Sequence, residues 1–211
     1  MLRKTFAVIL LVMIFVAGTV IAEQQLILKI GPTWPVALFD SEKMTSWDAS
    51  VHGGVAIDKK VAFGGGVDFL WNVNSEVKKV TGNIYRRETK EKTFMIPVSG
   101  FVSIDPVPDL IVHPCITGQI GVNTMYFSHA EDSIPDGGAS SSVMDENGWY
   151  FGFYWKIAAD AVYDLSEKSG VFAGIDFQWS QPEKIDVNSS DLFTRRNMNG
   201  IGIRMGLRVR Y

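Results

Sequence analysis

The eleven residues Ile201–Tyr211, I-G-I-R-M-G-L-R-V-R-Y, leave few folds open to this chain. Ile201, Ile203, Met205, Leu207, Val209 and Tyr211 fall on one parity, and Gly202, Arg204, Gly206, Arg208 and Arg210 on the other. Side chains alternate across a strand, so one face is wholly apolar and the other small and cationic. The length matches the ~9–11 residues of a tilted membrane strand, and the last residue is aromatic. Slipping the register by one residue would turn Arg204 into lipid at roughly 2–4 kcal/mol, so the arginines fix the pairing as firmly as the apolar row does.

Seven upstream segments repeat the pattern: 26–34, 47–57, 61–72, 94–104, 115–126, 149–163 and 171–179. Segment 149–163 turns Trp149, Phe151, Phe153, Trp155, Ile157 and Ala159 one way, and Tyr150, Gly152, Tyr154, Lys156 and Asp160 the other. Segment 94–104 is the least regular, because Pro97 withdraws a ladder donor. None of the outward rows carries a charge. Between segments, short links near 58–60, 105–110 and 164–170 alternate with long ones near 35–46, 74–92, 128–148 and 180–199. That order predicts an up-and-down barrel with short periplasmic turns, long external loops and both termini periplasmic. Trp34, Trp47, Trp71, Tyr126, Trp149 and Trp179 gather at the long-loop ends, and Tyr163 and Tyr211 at the others, as two interfacial girdles would.

Residues 1–22 read differently. Arg3 and Lys4 precede an apolar run, and Val20-Ile21-Ala22 offers small residues for cleavage, which predicts a secretory signal peptide and a mature domain at 23–211. Removing Arg3 and Lys4 from the 20 basic residues leaves 18 against 23 acidic ones, a formal charge of −5 that gives nucleic-acid binding no support. Cys115, alone, forms no internal disulfide, and His52, His113 and His129 are scattered, so neither a metal site nor a cofactor is expected.

The glycine-studded run Gly64-Gly65-Gly66 to Trp71 and the closing Gly-Ile-Arg-Met-Gly-Leu-Arg-Val-Arg-Tyr resemble the small eight-stranded outer-membrane barrels, the group of OmpX and the OmpA membrane domain. The resemblance spans the whole mature chain. It implies an all-β, eight-stranded antiparallel transmembrane barrel in a bacterial outer membrane. It also implies that Ile203, Met205, Leu207, Val209 and Tyr211 form the signal read by the barrel-insertion machinery; phenylalanine is the commoner last residue.

Inward-row Lys29, Asp68, Lys156, Asp160, Asp176, Arg204 and Arg208 predict an interior ion-pair network, since an unmatched buried charge costs several kcal/mol. An eight-stranded barrel is only wide enough for its side chains, which favours a plugged interior over a pore. Outside the barrel, Lys78, Lys79, Arg86, Arg87, Lys90 and Lys92 make one loop cationic, while Glu131, Asp132, Asp136, Asp145 and Glu146 make another anionic. The basic six suit lipopolysaccharide phosphates. Expectation therefore centres on a monomeric structural or surface-interaction protein, with outer-membrane lipid as its partner. The alternatives are a narrow pore and a lipid A-modifying enzyme using Ser128, His129, Glu131 and Asp132.

Overall fold

The computed structural model describes residues 23–35, 46–57, 59–79, 85–135, 141–186 and 194–211. The leader expected at 1–22 lies outside them, as do Asp58 and Asp136. Eight long strands form the barrel: β1 Glu23–Pro35, β2 Ser46–Ala56, β3 Val61–Lys79, β4 Tyr85–Ile104, β5 Val112–Pro135, β6 Ser141–Ser166, β7 Ser169–Ser180 and β8 Gly200–Arg210. Each pairs antiparallel with its neighbours in sequence, and β8 pairs with both β7 and β1, which closes the cylinder. Gln24 and Tyr211 seal the seam by exchanging two backbone hydrogen bonds, of 3.2 and 2.9 Å. Closure matters because every backbone group in a hydrocarbon layer needs a partner, and a closed sheet has no edge.

Parity decides which way each side chain faces. In β8 the outward residues Ile201, Ile203, Met205, Leu207 and Val209 are exposed, while Gly202, Arg204 and Arg208 are buried. The same alternation holds in β4, where Phe94, Val98, Val102 and Ile104 face out and Met95, Pro97, Ser99, Phe101 and Ser103 are buried. Pro97 therefore sits inside a full strand. Its cost shows as a gap in the β3–β4 ladder, which is paired at Val67↔Val98 and again at Leu70↔Met95 in unchanged register. Val55 departs from its row: at outward parity it is only 3% exposed, and it shares an outer groove with Tyr211.

The aromatic girdle is a single cross-strand row. Trp47 pairs with Trp71, Trp71 with Phe94, Phe94 with Tyr126, and Tyr126 with Trp149, so one ring per strand crosses β2 to β6 at one level. Six residues along β6 from Trp149, Trp155 pairs separately with Trp179 on β7, their ring centroids 6.5 Å apart.

Two of the expected long loops are strand instead. β3 runs beyond Trp71 to Lys79, paired with β4 back to Arg86, and β5 and β6 extend above Tyr126 and Trp149 to Pro135 and Ser141. A four-stranded wall thus rises past the girdle on one side of the barrel. Toward the tip of the wall, Val73, Asn74, Ser75 and Val77 are exposed at both parities, so the apolar alternation that marks a membrane strand has no cause to persist there. Glu131/Asp132 carries a register shift in this wall.

Inward glycines make room rather than bind. A Cβ on Gly206 would meet the Leu28 carbonyl and lie 2.5 Å from the Phe172 ring, and one on Gly54 would meet the Phe63 carbonyl and lie 2.9 Å from the Phe101 ring. Either substitution would press on the neighbouring strand's backbone and displace a buried ring.

Candidate functional site

From the hairpin end to the turn end, the interior is filled in layers. Uppermost is an apolar cluster of Leu70, Met95, Met125, Phe127, Tyr150 and Tyr154, with Met198 against it. Below lies a charged layer, then a second apolar cluster of Ile27, Phe101, Cys115, Val162 and Phe172.

The charged layer exists because β1, β2, β3, β6, β7 and β8 each turn at least one ionisable residue inward near mid-height. Lys156 on β6 reaches across the cylinder to Asp48 on β2 at 2.5 Å and Asp68 on β3 at 3.3 Å. Asp68, wholly buried, also accepts from His52 Nε2 at 2.7 Å and from the Tyr154 hydroxyl at 2.8 Å. Arg204 on β8 forks onto Asp160, with Nε at 2.9 Å and Nη2 at 2.6 Å, and stands 3.8 Å from Asp176. Bidentate geometry of this kind gives the strongest charge-assisted pairs.

The seven charges expected to form one network divide into groups. Arg208 reaches Asp164 at 3.4 Å, nearer the turns, where His113 bridges Asp105 at 2.5 Å and Asp164 at 3.3 Å. Burial raises the Asp105 carboxyl above its ordinary pKa, and His113 and Arg208 oppose that rise. Lys29 makes no ion pair within 4.0 Å among the described residues, although Asp68 and Asp48 act on it through space. Asp48, His52 and Tyr154 join the layer from inward parities, as the alternation placed them, although the expected ion-pair network did not include them. Asp105 and Asp164 lie beyond the last full alternation, so no sequence signal marked them.

The fourth long connection turns back over the barrel mouth. Glu183–Lys184 pairs with Tyr150 and Phe151 of β6, and Glu183 bridges Arg195. The Met198 amide donates to Ser180 and the Arg196 amide to Pro182. Arg196, 1% exposed, holds its guanidinium 3.6 Å from the Phe127 ring centroid, a cation–π contact. Burial lowers its pKa to about 9, which keeps it charged at neutral pH. Lys184 meets Glu146 at 3.2 Å.

In the wall, the cationic and anionic segments face each other. Arg87 pairs with Glu131, His129 with Glu91 at 2.8 Å, and Lys90 with Glu88 of its own strand at 3.1 Å. Lys90 and Lys92 are exposed at outward parity, whereas Arg87 takes the inner parity with Glu91. Lys78, Lys79 and Arg86 are placed by backbone pairing alone, Lys78↔Arg87 and Lys79↔Arg86. Ser128 and His129 are consecutive residues of β5 and point to opposite faces, so the strand does not present them as a nucleophile and its base.

No protein-family model matches the chain, and no curated protein does. Among solved structures, the chain is similar to Neisserial surface protein A, at 15% identity and a TM-score of 0.50, over 90% of this chain and 97% of that one. The fold is that of a small outer-membrane barrel. Weaker likenesses extend to Ail, the attachment invasion locus protein of Yersinia pestis, at 10% identity, TM-score 0.46, over 90% of this chain and 99% of that one. The outer membrane protein OprG of Pseudomonas aeruginosa follows, at 10% identity, TM-score 0.40, over 90% and 96%.

Proposed function

We propose that the chain is an integral protein of a bacterial outer membrane, with its short turns and termini in the periplasm, a closed interior, and a structural or surface-interaction role carried by the wall and mouth segment. The observation that carries this reading is the coincidence of an uncharged outward row in the belt and an interior filled by two apolar clusters with a charged layer between them, with Arg196 and Met198 folded into the mouth. A packed interior leaves no water file for ions, so the protein is expected to be silent in planar bilayers. Sustained, large single-channel currents from the purified chain would overturn the closed interior.

Lipopolysaccharide is the proposed surface partner. Lys92 stands two residues beyond Phe94 of the aromatic row, about 7 Å at the strand rise, and Lys90 two residues further; both point outward. That is the level at which the phosphates of a lipid headgroup lie above an aromatic girdle. Lys90's pair with Glu88 is exposed, and such pairs are worth only ~0–1 kcal/mol, so a phosphate can compete for it. Replacing Lys90 and Lys92 with glutamine is expected to lower the lipopolysaccharide that copurifies with the barrel; unchanged retention would reject the contact. The role is read as non-catalytic, in keeping with the opposed faces of Ser128 and His129 and the hold of Glu91 on His129.

A further inference from the structure

The three short turns of the barrel differ in chemistry. Lys59 and Lys60 are exposed on the β2–β3 turn, and Ser166, Glu167 and Lys168 on the β6–β7 turn. Each of these two carries a single exposed aliphatic residue, Ile57 or Leu165. The β4–β5 turn is apolar instead. Val107, Leu110, Ile111 and Val112 are 43%, 56%, 76% and 56% exposed, and Asp109 is the one exposed charge between Asp105 and Ile116.

Leu110, Ile111 and Val112 are consecutive, so strand alternation does not account for their shared exposure. The base of the turn is pinned in a way that holds them out. Pro108 and Asp109 occupy a corner closed by the Leu110 amide, which donates to the Val107 carbonyl at 3.3 Å. The Asp105 amide donates to the Lys60 carbonyl of the neighbouring turn at 2.7 Å. On the inner side stands the buried His113, clasped between Asp105 and Asp164. The aliphatic row has only the outside left to face. A contiguous apolar patch of this kind marks a binding surface.

Its position decides what covers it. Val112 pairs with Tyr163 of the turn-end aromatic girdle, and Ile104 with Ile116, so the apolar surface of the turn continues the lipid-facing belt without a break. Ile111 and Leu110 stand one and two residues beyond that level, at most about 7 Å at the strand rise. The polar layer on each side of a bilayer's hydrocarbon is roughly 5–7 Å deep. We propose that the β4–β5 turn is an interfacial anchor, whose Val107, Leu110, Ile111 and Val112 enter the boundary between lipid headgroups and acyl chains and set the depth of the barrel on that side. The occupant is a lipid surface, that of the inner leaflet when the turns are periplasmic. Apolar side chains at this boundary bind in proportion to the area they bury, while Asp109 at the corner stays among the headgroups. The anchor rests on the membrane reading proposed above.

The test places a nitrobenzoxadiazole probe on Ile111→Cys, Met205→Cys or Glu167→Cys, each in a Cys115→Ser background, in the mature chain folded into phosphatidylcholine vesicles. Phospholipids brominated near the headgroup or near the chain end serve as quenchers. The probe at Ile111 is expected to be quenched most by the shallow bromines, that at Met205 by the deep ones, and that at Glu167 least by either. Leu110 takes the probe if the Ile111 variant does not fold, as read from heat-modifiable gel mobility. Free of any probe, the double change Leu110→Ser, Ile111→Ser is expected to lower the folding equilibrium constant in vesicles at least 10-fold, whereas Glu167→Ser leaves it within about 2-fold. A probe at Ile111 quenched no more than one at Glu167, or a double serine variant as stable as the wild type, would overturn the anchor. Quenching at Met205 would still uphold the membrane barrel, and the patch would then be open to a periplasmic protein. An unquenched probe at Met205 would remove the membrane reading itself and the anchor with it.

Discussion

Replacing Asp68 with alanine is expected to lower the unfolding free energy by about 3–5 kcal/mol, the usual consequence of removing one partner from a buried ion pair. Asp68 is 0% exposed and serves three donors at once: His52, Tyr154 and Lys156. Its loss leaves Lys156 with Asp48 alone and strips the acceptor from two buried groups. Urea unfolding of the folded barrel in detergent, followed by tryptophan fluorescence, measures the effect. Lys156→Met should be of similar severity, and the double variant should cost clearly less than the two single changes together, because both remove the same contact. A loss for Asp68→Ala below about 1 kcal/mol would mean that the mid-height layer is well hydrated rather than a packed plug.

Arginine in place of Met205 has the second large effect, and it discriminates between lipid and water as the outer solvent. Met205 is 62% exposed, at outward parity near the middle of β8, between Ala173 on β7 and Ile30 on β1. On a soluble protein, a substitution at so open a site changes stability by no more than ~0.5 kcal/mol. Facing hydrocarbon at mid-depth, an arginine costs about 2–4 kcal/mol. Folding equilibria in phospholipid vesicles, with the wild type and Met205→Leu as references, separate the outcomes. A cost near zero in vesicles would remove the lipid-facing belt from the model of this protein.

The two changes probe opposite faces of one sheet, and they show where stability resides. Outward, the belt needs no mutual packing, only the absence of charge. Inward, the narrow cylinder forces each charge to find its partner across the axis, as Lys156 does on β2 and β3. The glycines facing Phe101 and Phe172 belong to the same economy of space.

Parity along the chain determined the eight strands, the direction of every side chain within the belt and the order of short and long connections. The reason is local: a side chain's face depends only on its position in the strand, and lipid on one side writes an uncharged row that can be read residue by residue. The closing strand needed nothing beyond its own eleven residues. Cross-strand neighbours were a different matter. That Arg204 forks onto Asp160 while Lys156 crosses to Asp48, and that Lys29 is left facing a cavity, depends on how eight inward rows converge in three dimensions. The wall above the girdle also waited for the fold, because its upper residues, such as Val73 to Ser75, are exposed at both parities and carry no alternating row. The mouth segment did too, since Arg196 and Met198 enter the barrel from a stretch whose sequence has no period at all. Direction is a property of one strand, whereas partnership is a property of the closed cylinder.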